Sequence, residues 1–250
     1  MDSRDIYKTR FREEGYVAIT GFLSHDEIKA IDAKINDLVA STVPAMPPEH
    51  VFYEDKGDVS TLKQLQHLDQ HDAFFSSLFH RESIAGLAEY LLDDTAVPWN
   101  MQWFNKPPRI GKETPPHQDG FYFMLEPNEA LTMWLAIDEV DEENGCVRYI
   151  PGSHREGLRA HGSTGVLGFS QGIVDYSAGD AAREVPMIVK PGDLIVHHSL
   201  TIHRADANKS NRTRKGLGFI FYSSSAKHDK QKHAQYQETL RLELLRLKKI

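Results

Sequence analysis

Two textures divide the chain. Up to about residue 95 the apolar positions recur mostly at helical spacing, whereas from Val97 onward they fall in short alternating runs cut by turn signals. In the first part, GYVAITGFL is a short alternating run. Ser24-His25-Asp26-Glu27 follows with the form of a capping box, serine as N-cap and glutamate three residues on. The helix it opens is predicted to run to about Ala40, because Ile28, Ile31, Ile35, Leu38 and Val39 share one face. STVPAMPPEHVFYEDKGD, with its prolines and Gly-Asp, predicts a long loop, and Thr61 to Leu92 a second helical region.

In the second part LTMWLAIDEV alternates cleanly. Leu131, Met133, Leu135 and Ile137 share one face, Thr132, Trp134 and Ala136 the other, and both faces are apolar enough to be buried. EVPMIV, the turn Lys190-Pro191-Gly192-Asp193 and LIVHHSLTIH predict a hairpin, and KGLGFIFYSSS a further strand. The leucine-rich C-terminal stretch, about 229–250, predicts a helix that covers the chain's own sheet rather than a second subunit. The expectation is a mainly β fold with added helices, built as one domain over residues 1–250. It has a helical part to about 95, a jelly-roll core over about 96–225 and a C-terminal helix.

Composition narrows the function classes. No apolar run approaches the roughly 18 residues of a membrane span, and the opening MDSRDIYKTRFREEG is charged throughout, so a cytoplasmic location is expected. Cys146 is the single cysteine, which excludes an internal disulfide and any multi-cysteine zinc site. A formal net charge of −7 argues against nucleic acid or an anionic membrane as partner. A small-molecule substrate and a monomer or homodimer are expected instead.

The candidate chemistry begins with PPHQDGFYF. With 13 histidines and 19 aspartates, about one His-x-Asp pair is expected by chance, and the chain holds two. His67 and Asp69 lie in a predicted helix, where residues two apart point away from each other, and read as a solvated helix face. His117 and Asp119 sit at the head of a predicted strand, where positions two apart project to one side and Gln118 points away. Three histidines downstream, His197, His198 and His203, are candidates for a third donor. Two histidines and one carboxylate on one face of a metal leave the other positions open, the arrangement of non-haem Fe(II) oxygenases. A zinc site on His67 and His71, four apart, lacks the adjacent glutamate of the HExxH pattern.

FNKPPRIGKETPPHQDGFYF, TMWLAIDEVDEENGCVRYIPGSH and KPGDLIVHHSLTIHRADANKSNRTRKG, in that order, resemble the phytanoyl-CoA dioxygenase family of Fe(II)/2-oxoglutarate oxygenases over about residues 10–225. The resemblance implies a double-stranded β-helix of the jelly-roll or cupin type, with His117, Asp119 and His203 as metal ligands. It implies Arg214 as the clamp on 2-oxoglutarate, with Trp134, Gln102 and Lys63 also near that co-substrate, a loop-stabilising role or a direct contact for Asn208 and Ser210, and a structural role for His154 in a turn. The implied reaction is hydroxylation of an aliphatic C–H with Fe(II), O2 and 2-oxoglutarate, ascorbate as accessory reductant, and release of succinate and CO2. Desaturation or ring closure would use the same residues, and a non-catalytic metal- or ligand-binding jelly roll is the alternative from another class. Asp119 stands where halogenating members have a small residue. Arg204 and Ala205 replace the Gly-Ser pair that often follows the distal histidine, and Arg155, Arg159, Arg183 and Arg204 are candidates for a basic rim.

Overall fold

The computed structural model describes residues 3–166 and 169–246. Its main feature is a seven-stranded sheet in the order Tyr16–Ile19, Leu194–His198, Ala130–Ala136, Arg214–Ser223, Ala96–Lys106, Leu62–Leu65 and Val51–Tyr53, antiparallel throughout. Facing it is a four-stranded antiparallel sheet, Val185–Pro186, Val147–Tyr149, His203–Ala205 and Thr114–His117. The chain switches repeatedly between the two sheets, and the pair forms the double-stranded β-helix that the family resemblance implied.

The alternation of LTMWLA decides which side of the large sheet is which. Leu131, Met133 and Leu135 join Leu217 and Phe219 in the main core, against Ile28, Ile31, Ile35 and Leu38 of the helix His25–Ser41. On the other face Trp134, Ala136 and Ile195 pack with Val147 and Tyr149 of the small sheet. Both faces are therefore buried, as the sequence required. Truncating a fully buried leucine such as Leu135 or Leu217 to alanine would cost about 2–5 kcal/mol. The helix starts where its capping box predicts: the Ser24 hydroxyl accepts the Glu27 N–H, and the Glu27 carboxylate accepts the Ser24 N–H at 2.9 Å.

Three local expectations are corrected. The predicted loop after this helix contains a strand, Val51–Tyr53, and the predicted helical region opens with another, Leu62–Leu65, which places Lys63 on a strand. The remainder breaks into Leu68–His71, Ala73–Phe79 and Glu82–Leu92, the break at Asp72 being fixed by its side chain accepting the Phe74 N–H. The turn at Lys190–Asp193 does not close a hairpin. Val185–Pro186 pairs with Val147–Tyr149 in the small sheet, while Leu194–His198 lies in the large one, so the turn carries the chain between sheets.

The C-terminal helix, Lys230–Arg246, sets Tyr236 against Phe121 and Tyr122 and His233 against Trp99, and residues 247–250 fall outside the described set. Among the described residues no helix is long and apolar enough to cross a membrane.

Candidate active site

Two side chains on neighbouring strands of the small sheet and one from the turn that follows bring their donor atoms together. In the small sheet His117 pairs directly with His203, and His203 pairs directly with Tyr149. Strand pairing thus sets the two imidazoles side by side, ring centroids 4.1 Å apart. Asp119 completes the group: its Oδ1 lies 3.4 Å from His117 Nε2 and 3.6 Å from His203 Nε2. The ligand atoms of His117, Asp119 and His203 all lie within 4.8 Å of one another, and no other such group of three was found among the described residues.

The route by which Asp119 reaches this point differs from the expectation. The strand ends at His117, and Asp119 is the N-cap of a single helical turn, Gly120–Phe123, with φ −56° and ψ −34°. A strand end followed by a turn, rather than alternate positions of one strand, brings the two donors together. Gln118 does point away. Its amide donates to the carbonyls of Gly157 and Leu200 and its Oε1 accepts the Arg159 N–H, which ties the ligand segment to two loops.

Each histidine is oriented by its own backbone. His117 Nδ1–H donates to the Pro115 carbonyl at 2.8 Å, and His203 Nδ1–H donates to the Thr201 carbonyl at 2.9 Å. In both rings the proton is held on Nδ1 and the Nε2 lone pair is left for a metal. Burial first, then the neighbouring His117 and His197, hold the His203 imidazole well below its ordinary pKa, in the neutral form that ligation needs. Burial pushes the Asp119 carboxyl up, but the surrounding His203, His117 and His197 together outweigh it and hold the group well below the usual range.

The adjacent histidines of LIVHHSLTIH separate by strand alternation. His197 points inward, its Nε2 3.1 Å from Asp119 Oδ2 and its Nδ1 2.9 Å from the Tyr149 hydroxyl. His198 points outward and meets Glu129 at 3.3 Å. Thr132, directly opposite His197 on the neighbouring strand, donates its hydroxyl to the same Asp119 Oδ2 at 2.7 Å. Neither Thr132 nor Tyr149 was singled out from the sequence. Thr132 was visible only as sharing the inward face with Trp134.

An open-mouthed cavity beside the triad, about 780 Å³ out to its mouth, is lined by His117, Asp119, His203, Thr132, Trp134 and Arg214 among others. Arg214 begins its strand opposite Lys106 and is buried. Its guanidinium lies 5.3 Å from the Trp134 ring, its Nε has no hydrogen-bond partner, and among the described residues it forms no ion pair. Burial lowers its pKa to about 10. A buried guanidinium without a carboxylate is costly, and the orphaned donor fits an anionic ligand.

Gly216 makes room for this pair: a Cβ there would fall 2.1 Å from the Trp134 ring. Lys106 donates to the carbonyls of Lys112 and Asp206, and burial, then Arg214, hold its pKa well below that of an exposed lysine.

The remaining sequence candidates fall around this centre. Lys63 lines the cavity and lies 3.6 Å from Glu54. Gln102 shares the inward face with Phe104 and Lys106 but is not itself among the lining residues; its Oε1 accepts from the Gln64 amide, which is. Asn208 and Ser210 close their loop, Asn208 donating to the Lys106 and Arg212 carbonyls and Ser210 to Asn208. His154 meets the Arg12 carbonyl.

His67 and Asp69 are not a solvated helix face: His67 is half-buried in the left-handed region at φ 57°, and Asp69 accepts the Met101 N–H. The basic rim is largely neutralised. Arg204 is held by Glu184 and Asp206, Arg159 by Asp175 and Asp180, and Arg183 by Glu156.

A double-stranded β-helix with two histidines and one carboxylate converging between its sheets, beside a buried arginine, defines an iron- and 2-oxoglutarate-dependent oxygenase. The chain belongs to the phytanoyl-CoA dioxygenase (PhyH) family, whose model matches residues 11–216. A Mus musculus protein named phytanoyl-CoA dioxygenase, peroxisomal, is 28% identical over 230 residues, covering 86% of this chain and 67% of that one. Among solved structures, the epimerase SnoN, in complex with Fe3+, alpha ketoglutarate and nogalamycin RO, aligns with a TM-score of 0.74 at 23% identity, covering 90% of this chain and 86% of the other. The carbocyclase SnoK from nogalamycin biosynthesis aligns with a TM-score of 0.70 at 25% identity, covering 91% and 86%.

Proposed function

We propose that the protein hydroxylates an aliphatic C–H bond of a small-molecule substrate, with His117, Asp119 and His203 holding iron(II) and Arg214 holding the far carboxylate of 2-oxoglutarate. The observation that carries this reading is Arg214, a buried guanidinium with no ion-pair partner among the described residues, lining the same cavity as the three donor atoms. A site that only held a metal would have no use for it.

The chain's own residues divide the work. Pro115 and Thr201 carbonyls keep both Nδ1 protons away from the metal position, so that the two Nε2 atoms and Asp119 Oδ1 converge on it. Arg214 presents a planar fork that matches a carboxylate bidentately, and Trp134 packs against it. Bound iron supplies the O2 chemistry that turns 2-oxoglutarate into succinate and CO2 while a substrate C–H is oxidised. What the protein adds is placement of the C–H bond against that centre.

Hydroxylation is the reading chosen for the outcome. SnoN is an epimerase and SnoK a carbocyclase on this fold, so desaturation, epimerisation and ring closure are the outcomes it competes with. A metabolite panel assayed for substrate-stimulated succinate formation tests it, with the product identified by mass. A gain of one oxygen atom supports hydroxylation, a loss of two hydrogens or an unchanged mass replaces it, and no stimulation by any member counts against a small-molecule substrate of the classes sampled.

A further inference from the structure

We infer that His197 is a positioning residue which, with Thr132, holds Asp119 as a one-oxygen ligand. This rests on the reading of His117, Asp119 and His203 as the metal site. A carboxylate can meet a metal through one oxygen or both. If both oxygens of Asp119 were offered, one of the positions needed by 2-oxoglutarate and O2 would be taken.

The two oxygens here have different surroundings. Oδ1 faces the Nε2 atoms of His117 and His203 at 3.4 and 3.6 Å. Oδ2 faces away and receives two hydrogen bonds, from the Thr132 hydroxyl at 2.7 Å and from His197 Nε2 at 3.1 Å. These donors come from residues directly opposite each other on neighbouring strands of the large sheet, so strand register aims both at one atom.

The proton directions follow from chemistry. A carboxylate oxygen only accepts, so His197 Nε2 carries a proton and donates it. In the neutral ring Nδ1 is then the acceptor, and the Tyr149 hydroxyl, 2.9 Å away, donates to it. Tyr149 is fully buried and is the cross-strand partner of the ligand His203, which leaves its hydroxyl little freedom to turn elsewhere. The chain Tyr149 to His197 to Asp119 thus reaches from the small sheet across to the large one and back to the ligand segment. Its effect is to fix both the tautomer of His197 and the rotation of the Asp119 carboxylate. The sequence offers His197 as an alternative metal ligand; the geometry gives it a place one hydrogen bond behind one.

The test uses His197→Phe, which keeps a ring of similar size without a donor, His197→Gln, whose amide can donate to Asp119, and Tyr149→Phe. Anaerobic Co(II) titration gives affinity and stoichiometry, and the visible band formed by Fe(II) with 2-oxoglutarate reports how the co-substrate chelates. The expected result for His197→Phe is one metal per chain bound about 10- to 100-fold more weakly, with a shifted or weakened band. His197→Gln recovers most of the affinity, and Tyr149→Phe, which leaves Asp119 its direct donor, loses only a few-fold. Wild-type affinity and an unchanged band in His197→Phe would overturn the inference. So would complete loss of metal equal to that in His203→Ala, since His197 would then be a ligand itself. If His197→Phe does not fold, Thr132→Val, which removes the other donor to Oδ2, takes its place, and unchanged affinity with an unchanged band there overturns the inference. Failure of the wild-type protein to bind metal would instead bring down the metal-site reading beneath it.

Discussion

His117 and His203 stand directly opposite each other on neighbouring antiparallel strands, ring centroids 4.1 Å apart, although 86 residues separate them in the chain. Their Nε2 atoms reach one point because the two backbones are hydrogen-bonded in register, so the proposed metal position is a property of the sheet. Removing any one donor leaves two protein ligands, which in chloride-free buffer should weaken metal binding sharply. His117→Ala, Asp119→Ala and His203→Ala should each lose stoichiometric Fe(II) or Co(II). His198→Ala should keep it, because that ring faces Glu129 on the outside of the strand. Calorimetric titration of the four variants decides this; retention of metal by His203→Ala would remove the histidine from the site.

Arg214 should behave differently with and without ligand. Arg214→Met takes an unpaired guanidinium out of a buried position, so the ligand-free variant should melt no lower than the wild type, and higher if relief of the buried charge dominates. Its affinity for 2-oxoglutarate should fall about 10- to 100-fold, the worth of a charge-assisted hydrogen-bonded pair of about 1.5–3 kcal/mol. Arg214→Lys should fall between, since an ammonium cannot reproduce the fork. Thermal melting with and without 2-oxoglutarate reads both effects, and an Arg214→Met protein that 2-oxoglutarate stabilises like the wild type would contradict the clamp.

Gly216 is required by a close approach. A methyl group there would sit 2.1 Å from the Trp134 ring, so Gly216→Ala must displace the indole from beside Arg214. The expected cost is about 1–3 kcal/mol of stability from overpacking, together with weaker 2-oxoglutarate binding and altered tryptophan fluorescence. Wild-type fluorescence and affinity in this variant would mean that Trp134 does not shape the co-substrate pocket.

Acid should destabilise the metal-free protein before its carboxylates titrate. His50, His67 and His203 are held below their ordinary value, burial being the first cause for each, so the folded chain resists protons that the unfolded chain takes up near pH 6.5. The unfolded state then binds more protons, and stability falls as pH drops below that value. Melting temperature should decline between pH 7 and pH 5.5, and a flat profile there would contradict the assignment of neutral buried histidines.

What could be read from the sequence follows from what short-range pattern encodes. The strand Ala130–Ala136 and the helix His25–Ser41 were legible because alternation and a capping box are local signals. Leu62–Leu65 was not, because all four residues are buried and no alternation marks it as a strand. The turn at Lys190–Asp193 looks like a hairpin turn locally, and nothing local says that its two flanks belong to different sheets. His117, Asp119 and His203 were legible as residues, and from the family resemblance as a proposed ligand set. The hydrogen bonds that orient them were not: Pro115 and Thr201 contribute only carbonyl groups, and the meeting of Thr132, His197 and Tyr149 around Asp119 depends on strand register.

The most direct measurement of the central claim is anaerobic titration of the protein with Fe(II) and 2-oxoglutarate, followed by visible absorption. The account predicts a metal-to-ligand charge-transfer band that saturates at one iron per chain, is absent in Asp119→Ala and needs far more 2-oxoglutarate in Arg214→Met. No band in the wild-type protein, or one that Arg214→Met forms at the same 2-oxoglutarate concentration, would contradict it.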